Sequence, residues 1–322
     1  MKKKIVVIRG GPSNEHEVSM KTGRSVIDEL SKENDVLDVV VDRSGIWVSG
    51  GSETSPEKVC ANSDCVFNAM HGEYGEDGKV QRILENVGVP FTGPQKASAA
   101  ISMNKKLTKD IYQKFGIKTP IYKVVKKTDG DVHTIAIDIF RSFPMPVVIK
   151  PIASGSSVGV SIARDYKSLV ETLISMFIQF DNLLIEEYIS GKEATVGVID
   201  KFRDQKIYAM LPVEIKIPQE KYFFDYEAKY SGKSEEICPG NFNNDEKEVL
   251  QRYSILAHDS LGLRHYSRTD FIIHPRRGIY ALETNSLPGL TKESLFPKSL
   301  PPIGSNYKEF LDHVIELAMR DL

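Results

Sequence analysis

Five residues near the C-terminus, Arg268, Asp270, Glu283, Asn285 and Gly289, restrict this chain more than any other feature, because one hairpin gathers the first four on a single face. Tyr266–Ile273 reads as a strand, His274–Gly278 carries a Pro and a Gly as turn signals, and Ile279–Asn285 reads as the returning strand. A loop centred on Arg276-Arg277 sets Asp270 opposite Glu283 and Arg268 opposite Asn285. An odd-length loop would break that register. Side chains alternate along a strand, so the same pairing sends Phe271, Ile273, Tyr280 and Leu282 to the other face. Two opposed carboxylates repel unless a cation lies between them. An oxygen-rich set of Asp, Glu and an Asn carbonyl suits a hard cation such as Mg²⁺, held by few protein groups plus substrate phosphates. The face reads as a metal–phosphate site.

The chain has 322 residues, 41% hydrophobic and 27% charged, more than one core usually serves, so two or three domains are expected. A net charge of −2 gives no global field to draw nucleic acid or anionic lipid, and any anion binding must be local. Lys2-Lys3-Lys4 precedes an apolar run, Ile5–Ile8, too short for a signal-peptide core. No stretch reaches membrane-spanning length. A cytoplasmic location is expected, with no membrane and no nucleic-acid partner. Cys60, Cys65 and Cys238 have neither metal nor redox spacing and read as reduced structural thiols.

The elements suggest an α/β first segment and an α+β remainder. Strand Ile5–Ile8, the turn Arg9–Ser13 and a helical stretch with Val18, Val26, Ile27 and Leu30 make a Rossmann-like opening. Strand Ser63–Met70, the loop His71–Gly78 and a helix up to Gly88 repeat that unit, with a boundary near residue 94. A helix with Met103, Leu107, Ile111 and Phe115 at every fourth position opens the second segment. Strands Ile121–Val125 and Val147–Lys150, the loop Pro151–Ser157, strand Val158–Ala163 and a helix over Leu169–Phe180 follow. The third segment, from about residue 188, carries strands Thr195–Asp200 and Ile207–Val213, a long polar stretch Pro218–Asn244, a helix Glu246–Leu261, the hairpin and a last helix near Phe310–Met319. A polar stretch of that length reads as a functional loop. The expected domains are 1–94, 95–187 and 188–322.

Lys150-Pro151 ends an apolar strand and leads into Ser154-Gly155-Ser156-Ser157-Val158-Gly159, where small residues let N–H groups and hydroxyls close round phosphate oxygens. A flexible linker of the same composition would read alike. No P-loop pattern is present, so a nucleotide must be held by another architecture.

Taken in order, Gly10–Ser19, His71–Gly78, Lys150–Val160, Asp225–Tyr230, Tyr266–Phe271, Glu283–Gly289 and Ser294–Pro297 resemble the D-alanine–D-alanine ligase family of the ATP-grasp superfamily over nearly the whole chain. The resemblance implies a Rossmann-like N-terminal domain followed by a two-lobed ATP-grasp fold. It implies joining of two D-alanine molecules at the expense of ATP, for peptidoglycan precursor synthesis. Lys105 and Lys150 would contact the ATP phosphates, Lys229 would neutralise the transferring phosphoryl group, and Ser156 and Ser157 would cover it. Glu186, Glu187, Tyr188 and Ile189 would form the adenine strand, with Glu193 at the ribose. Asp270, Glu283 and Asn285 would hold two Mg²⁺, or Mn²⁺ in their place. Glu15 would pair with the ammonium of the first D-alanine beside His71, and Ser294 with Leu295 would hold the carboxylate of the second. Arg268 and the Gly289 N–H would face the oxyanion. A contact among Tyr230, Ser156 and Glu15 would close the 218–244 loop, and the protein would be a homodimer.

A carboxylate and an amine do not condense in water, so the first D-alanine must be activated as an acylphosphate. That activation is phosphoryl transfer, promoted mainly by positioning and charge neutralisation. Taken singly, several of these residues have plainer readings: Glu15 as a helix N-terminal acid, His71 as a structural histidine, Lys105 and Lys229 as solvated lysines, and Arg268–Asp270 as a same-face ion pair. Two other function classes stand beside the first, an ATP-grasp ligase for another substrate such as D-lactate or D-serine, and a non-catalytic nucleotide-binding regulator.

Overall fold

The computed structural model describes residues 2–153, 155, 159–216 and 235–321. Among these residues the strands form three sheets. The first is built from β1 (Lys4–Gly10), β2 (Asp35–Val41), β3 (Trp47–Ser49), β4 (Ser52–Glu53) and β5 (Cys65–Asn68), in the order β4-β3-β2-β1-β5. β1 pairs in parallel with both β2 and β5. The near-continuous apolar run of β1 fits a strand covered on both faces, and Ile5, Val6, Val7 and Ile8 are all buried. The helix His16–Leu30 provides the crossover from β1 to β2. The C-terminal ends of β1 and β5 carry Gly10-Gly11 and His71, the edge where parallel sheets open a binding crevice. Trp47 of the antiparallel extension β3, an element with no clear signal in the sequence, closes the core behind this edge.

The second sheet comprises β6 (Tyr122–Lys126), β7 (Val147–Pro151), β8 (Ser161–Ala163) and β9 (Asn182–Glu187), in the order β6-β9-β7-β8. Helices Val132–Ser142 and Tyr166–Met176 cover it, through Ile135, Ile139, Leu169 and Leu173. The first falls between the expected strands Ile121–Val125 and Val147–Lys150, where the sequence carries no expected element. Asp131 caps it by accepting from His133 N and Thr134 N. The third sheet contains β10 (Lys192–Asp200), β11 (Ile207–Ala209), β12 (Val213–Lys216), β13 (Glu235–Ile237), β14 (Tyr266–His274) and β15 (Gly278–Asn285). Its main path is β13-β12-β10-β14-β15. Strand β13 falls inside the stretch expected to be a structureless loop. Residues 217–234 of that stretch lie outside the described residues.

The last helix, Tyr307–Arg320, returns to the first sheet. Phe310, Leu311, Val314 and Ile315 share one core with Ile5, Val7 and Phe67 of β1 and β5, and with Tyr266 and Phe296. Tyr266 and Phe310 meet edge to face at 5.2 Å, so the chain's end fastens the third sheet to the first. Among the described residues no helix is long and apolar enough to cross a membrane. The three cysteines are free, and burial pushes the thiols of Cys60 and Cys65 up to about 11 and about 12.

Two sequence expectations are corrected. The helix expected to run through Met103 and Phe115 is two helices, Lys96–Met103 and Lys105–Lys114, broken at Asn104. The Asn104 side chain accepts from Leu107 N at 3.1 Å, which starts the second helix anew. Leu107 and Phe115 are 41% and 45% exposed, and the buried side carries Lys105, Thr108, Lys109 and Tyr112 instead. The hairpin turn is also odd in length. His274 pairs with Gly278, leaving three residues between them, and the register then slips between Asp270 and Phe271. This slip makes a β-bulge opposite that step, with Leu282 as the extra residue. Phe271 and Ile273 therefore face the core with Ala281 and Ile279. Tyr280 pairs with Ile272, and neither it nor Leu282 belongs to that row.

Candidate active site

The bulge restores what the odd turn would have broken. Beyond it Asp270 stands opposite Glu283, and Arg268 opposite Asn285. Arg268 folds onto Asp270 with Nε to Oδ1 and Nη2 to Oδ2 both at 2.9 Å, a two-pronged pairing favoured by the planar guanidinium. Thr195 Oγ1 donates to Asp270 Oδ1 at 2.5 Å and Asn285 Nδ2 donates to Oδ2 at 3.1 Å. Lys105 Nζ lies 3.6 Å from Glu283 Oε2. Each carboxylate of the pair thus has its own cation, which offsets their mutual repulsion.

Lys105 opens the helix capped by Asn104, and its N–H donates to Ile152 O at 2.9 Å, tying the helix to the end of β7. Lys150 of β7 and Glu186 of β9 are neighbours across the second sheet, and Lys150 Nζ meets Glu186 Oε2 at 2.8 Å. Lys109 Nζ meets Glu186 Oε1 at 2.7 Å. Burial pushes the Glu186 carboxyl up, but the two ammonium groups outweigh it and hold the acid below its ordinary range. Burial lowers Lys105 against the pull of Glu283. Glu187 accepts from Ile121 N and binds Arg277 Nη1 at 2.8 Å, linking the hairpin turn to the second sheet. Tyr188 N donates to Pro146 O, Ile189 is buried, and Glu193 sits on β10 between Ile215 and Ile272.

Glu15, 9% exposed, lies where the first sheet's crevice meets the loop after β7. A Cβ on Gly155 would fall 2.1 Å from Glu15 Oε2, and one on Gly72 2.6 Å from the same oxygen. Glycine at both positions is what leaves room for that carboxylate. His71 is buried and hydrogen-bonded through Nε2 to Thr22 Oγ1 at 2.8 Å. Its backbone N–H donates to Ser19 Oγ and its carbonyl accepts from Ser13 Oγ. Burial drives its pKa below the ordinary histidine value, against the attraction of Glu15.

Glu76, which carries no assigned role from sequence, joins this group. Its carboxylate accepts from Gly72 N at 2.7 Å and Leu287 N at 3.2 Å, clamping the loop after β5 to the loop after β15. Burial, with Glu15 nearby, raises its pKa to about 8. Further along that second loop, a Cβ on Gly289 would lie 2.9 Å from Ser294 Oγ, so the two residues are side by side. Ser294 Oγ shares a 2.8 Å hydrogen bond with Thr291 Oγ1, and Leu295 is buried against Val213 and Ile215. Ser156, Ser157, Lys229 and Tyr230 lie outside the described residues.

Lys109 is the other group that sequence reasoning passed over. It follows Lys105 by four positions and so shares its helix face, a signal hidden by reading Leu107 and Ile111 as the buried stripe. Among the described residues no cluster of three or more His, Cys, Asp or Glu side chains is gathered as a metal site. The hairpin offers two carboxylates and an amide.

A family model described as the D-ala D-ala ligase C-terminus matches residues 111–316, and the corresponding N-terminal model matches 4–58 and 51–94. The chain belongs to the D-alanine–D-alanine ligase family. It is 36% identical to the D-alanine--D-alanine ligase of Syntrophobacter fumaroxidans over 98% of both chains. It is also 36% identical to that of Geobacter sulfurreducens, over 97% of this chain and 93% of the relative. Among solved structures it is similar to the VanG D-Ala:D-Ser ligase of Enterococcus faecalis, with a TM-score of 0.84 and 26% identity over 99% of this chain and 100% of the other. The D-alanyl-alanine synthetase A of Vibrio cholerae aligns at a TM-score of 0.85 and 25% identity, over 99% of both chains. The fold is that of the ATP-grasp ligases. In this family member, Lys105, Lys150, Glu186, Asp270 and Glu283 form the charged seam where the second and third sheets meet.

Proposed function

We propose that the protein uses ATP to join two D-alanine molecules into D-alanyl-D-alanine through an acylphosphate, supplying peptidoglycan precursor synthesis. The observation that carries this reading is the charged seam: two opposed carboxylates beside Lys105, with Lys150 at the adjoining strand end, in a full-length family match. Such a seam offers both signs of charge to a metal–polyphosphate, whose transfer chemistry depends chiefly on positioning and neutralisation. Asp270, Glu283 and Asn285 fit Mg²⁺ or Mn²⁺, since hard cations take oxygen donors and complete their shell with phosphate and water. When bound, two such ions would neutralise phosphate charge; Arg268 would then turn from Asp270 towards the reacting centre.

Lys105 and Lys150 would hold the phosphates, joined by Ser156, Ser157 and Lys229. The strand Glu186–Ile189 would line the adenine and Glu193 the ribose. Glu15 would bind the ammonium of the first D-alanine, beside a His71 kept neutral by burial. The carboxylate of that D-alanine attacks the γ-phosphorus and ADP leaves. The amine of the second D-alanine, placed by Ser294 and Leu295, then loses a proton and attacks the acyl carbon. Arg268 and the Gly289 N–H would stabilise the oxyanion, and phosphate leaves with the former carboxylate oxygen. Tyr230, Ser156 and Glu15 would close the site over an intermediate that water destroys. The chain would divide into the three units 1–94, 95–187 and 188–322, with the last helix crossing back to the first, and would act as a cytoplasmic homodimer.

The test is incubation with ATP and equal D-alanine, D-lactate and D-serine, with products read by mass spectrometry. D-alanyl-D-alanine is expected to predominate. A predominant D-alanyl-D-lactate or D-alanyl-D-serine product would overturn the substrate assignment, and absence of ADP release with any of them would overturn the ligase assignment.

A further inference from the structure

The proposed ATP site leaves one buried cation without a task. Lys109 has a fully buried side chain and reaches two partners, Glu186 Oε1 at 2.7 Å and Thr119 Oγ1 at 2.6 Å. The other oxygen of Glu186 holds Lys150 at 2.8 Å, and the Glu186 side chain is itself only 3% exposed. Helix 105–114, β7 and β9 thus each place one charge in a closed Lys109–Glu186–Lys150 row. A buried carboxylate stripped of its counter-charge is strongly unfavourable. If Lys150 were the sole partner of Glu186, it could not turn to a phosphate without leaving that carboxylate bare.

We propose that Lys109 is a positioning residue of the ATP site: by compensating Glu186 it frees Lys150 to carry its ammonium to an incoming nucleotide phosphate. The inference rests on the reading of Lys150 as a phosphate ligand. Lys109 touches no nucleotide and acts through Glu186. The groups facing its ammonium are Glu186 on β9, Lys150 on β7, Glu283 on β15 and the Tyr122 ring on β6 at 5.8 Å. Burial, against the attraction of Glu186, brings its pKa down to about 8. Above that pH the lysine is neutral and Lys150 is held back by Glu186, so ATP affinity falls as pH rises through about 8.

The experiment is calorimetric titration of ATP with Mg²⁺, without D-alanine, at pH values on either side of about 8. The proteins are the wild type, Lys109→Met and Lys109→Arg, with steady-state kinetics alongside. Lys109→Met is expected to weaken ATP binding about tenfold or more and to raise KM for ATP with little change in KM for D-alanine. Lys109→Arg, charged throughout, is expected to bind ATP without the inflection near pH 8. A folded Lys109→Met with wild-type ATP affinity, or a Lys109→Arg as weak as Lys109→Met, would overturn the proposal. A wild-type protein that binds no ATP would instead overturn the ATP site itself, and this inference with it.

Discussion

Gly155→Ala isolates the placement of one carboxylate from the stability of the fold. The added Cβ would lie 2.1 Å from Glu15 Oε2 and 3.0 Å from Cδ, whereas ordinary contact begins near 3.4 Å. The carboxylate, or the loop that carries residue 155, must therefore yield by more than about 1 Å. Retreat of the carboxylate is confined, because Gly72 approaches the same oxygen. A misplacement of about 1 Å in a positioning group costs roughly a hundredfold in rate, or about 2.7 kcal/mol of transition-state stabilisation. Gly155 does not occupy the left-handed region, so alanine adds no backbone strain and trims the freedom of the unfolded chain. The expected result is a kcat/KM for D-alanine at the first site lower by about a hundredfold, with an unchanged or slightly raised melting temperature. Gly72→Ala is the contrast. With φ at +72° it should lose stability as well. Initial rates over a D-alanine series, with calorimetric melting of each variant, separate the two. A Gly155→Ala enzyme with wild-type kcat/KM would refute the idea that these glycines hold Glu15 in its working position.

Three further outcomes are expected. Asp270→Asn and Glu283→Gln should each raise the Mg²⁺ concentration for half-maximal turnover by about tenfold or more, measured by ADP release in a metal titration; unchanged Mg²⁺ dependence would remove the hairpin from the metal site. Phe310→Ala, which empties a fully buried ring site against Tyr266 and Phe296, should cost about 3–5 kcal/mol in denaturant unfolding; a loss below about 1 kcal/mol would mean that the helix 307–320 does not hold the two sheets together. Asp321 is held down to about 2 from 3.8 by its hydrogen bond to His265 and by Lys201. Because a depressed acid stabilises the fold above its unfolded pKa, its contribution is lost as pH falls from about 4 to about 2. With the side chain 28% exposed, screening leaves about 1 kcal/mol. Asp321→Asn should therefore flatten that part of the stability curve in acid titrations followed by circular dichroism, and an unaltered slope would contradict the pairing.

The hairpin shows both the reach and the limit of sequence reading. Carboxylate spacing and turn residues were enough to oppose Asp270 to Glu283. They could not show that an odd turn is offset by a bulge at Leu282, since a bulged residue looks like any other strand residue until its partner strand is placed. The same pattern rule put Tyr280 and Leu282 in the core row, where Ala281 and Ile279 belong. In the helix Lys105–Lys114, apolar periodicity pointed to the wrong face, because the buried side carries charge that Glu186 and Glu283 on distant strands compensate. Lys109 is silent in the sequence for that reason. Glu76 lay inside a recognised block, yet its clamp on Leu287 spans more than two hundred residues and no local pattern encodes it. By contrast, Gly10-Gly11 and His71 were legible because parallel strands place such loops at one sheet edge whatever the details.

Whether the first D-alanine is activated by phosphorylation of its own carboxylate is decided by ¹⁸O tracing. The enzyme is supplied with ATP, Mg²⁺ and D-alanine labelled with ¹⁸O in both carboxylate oxygens, and the inorganic phosphate is examined by mass spectrometry or ³¹P NMR. Attack by that carboxylate predicts one ¹⁸O in the phosphate for each dipeptide formed, because the bridging oxygen leaves with phosphorus when the second amine attacks the acyl carbon. Unlabelled phosphate accompanying D-alanyl-D-alanine would rule out activation through that carboxylate.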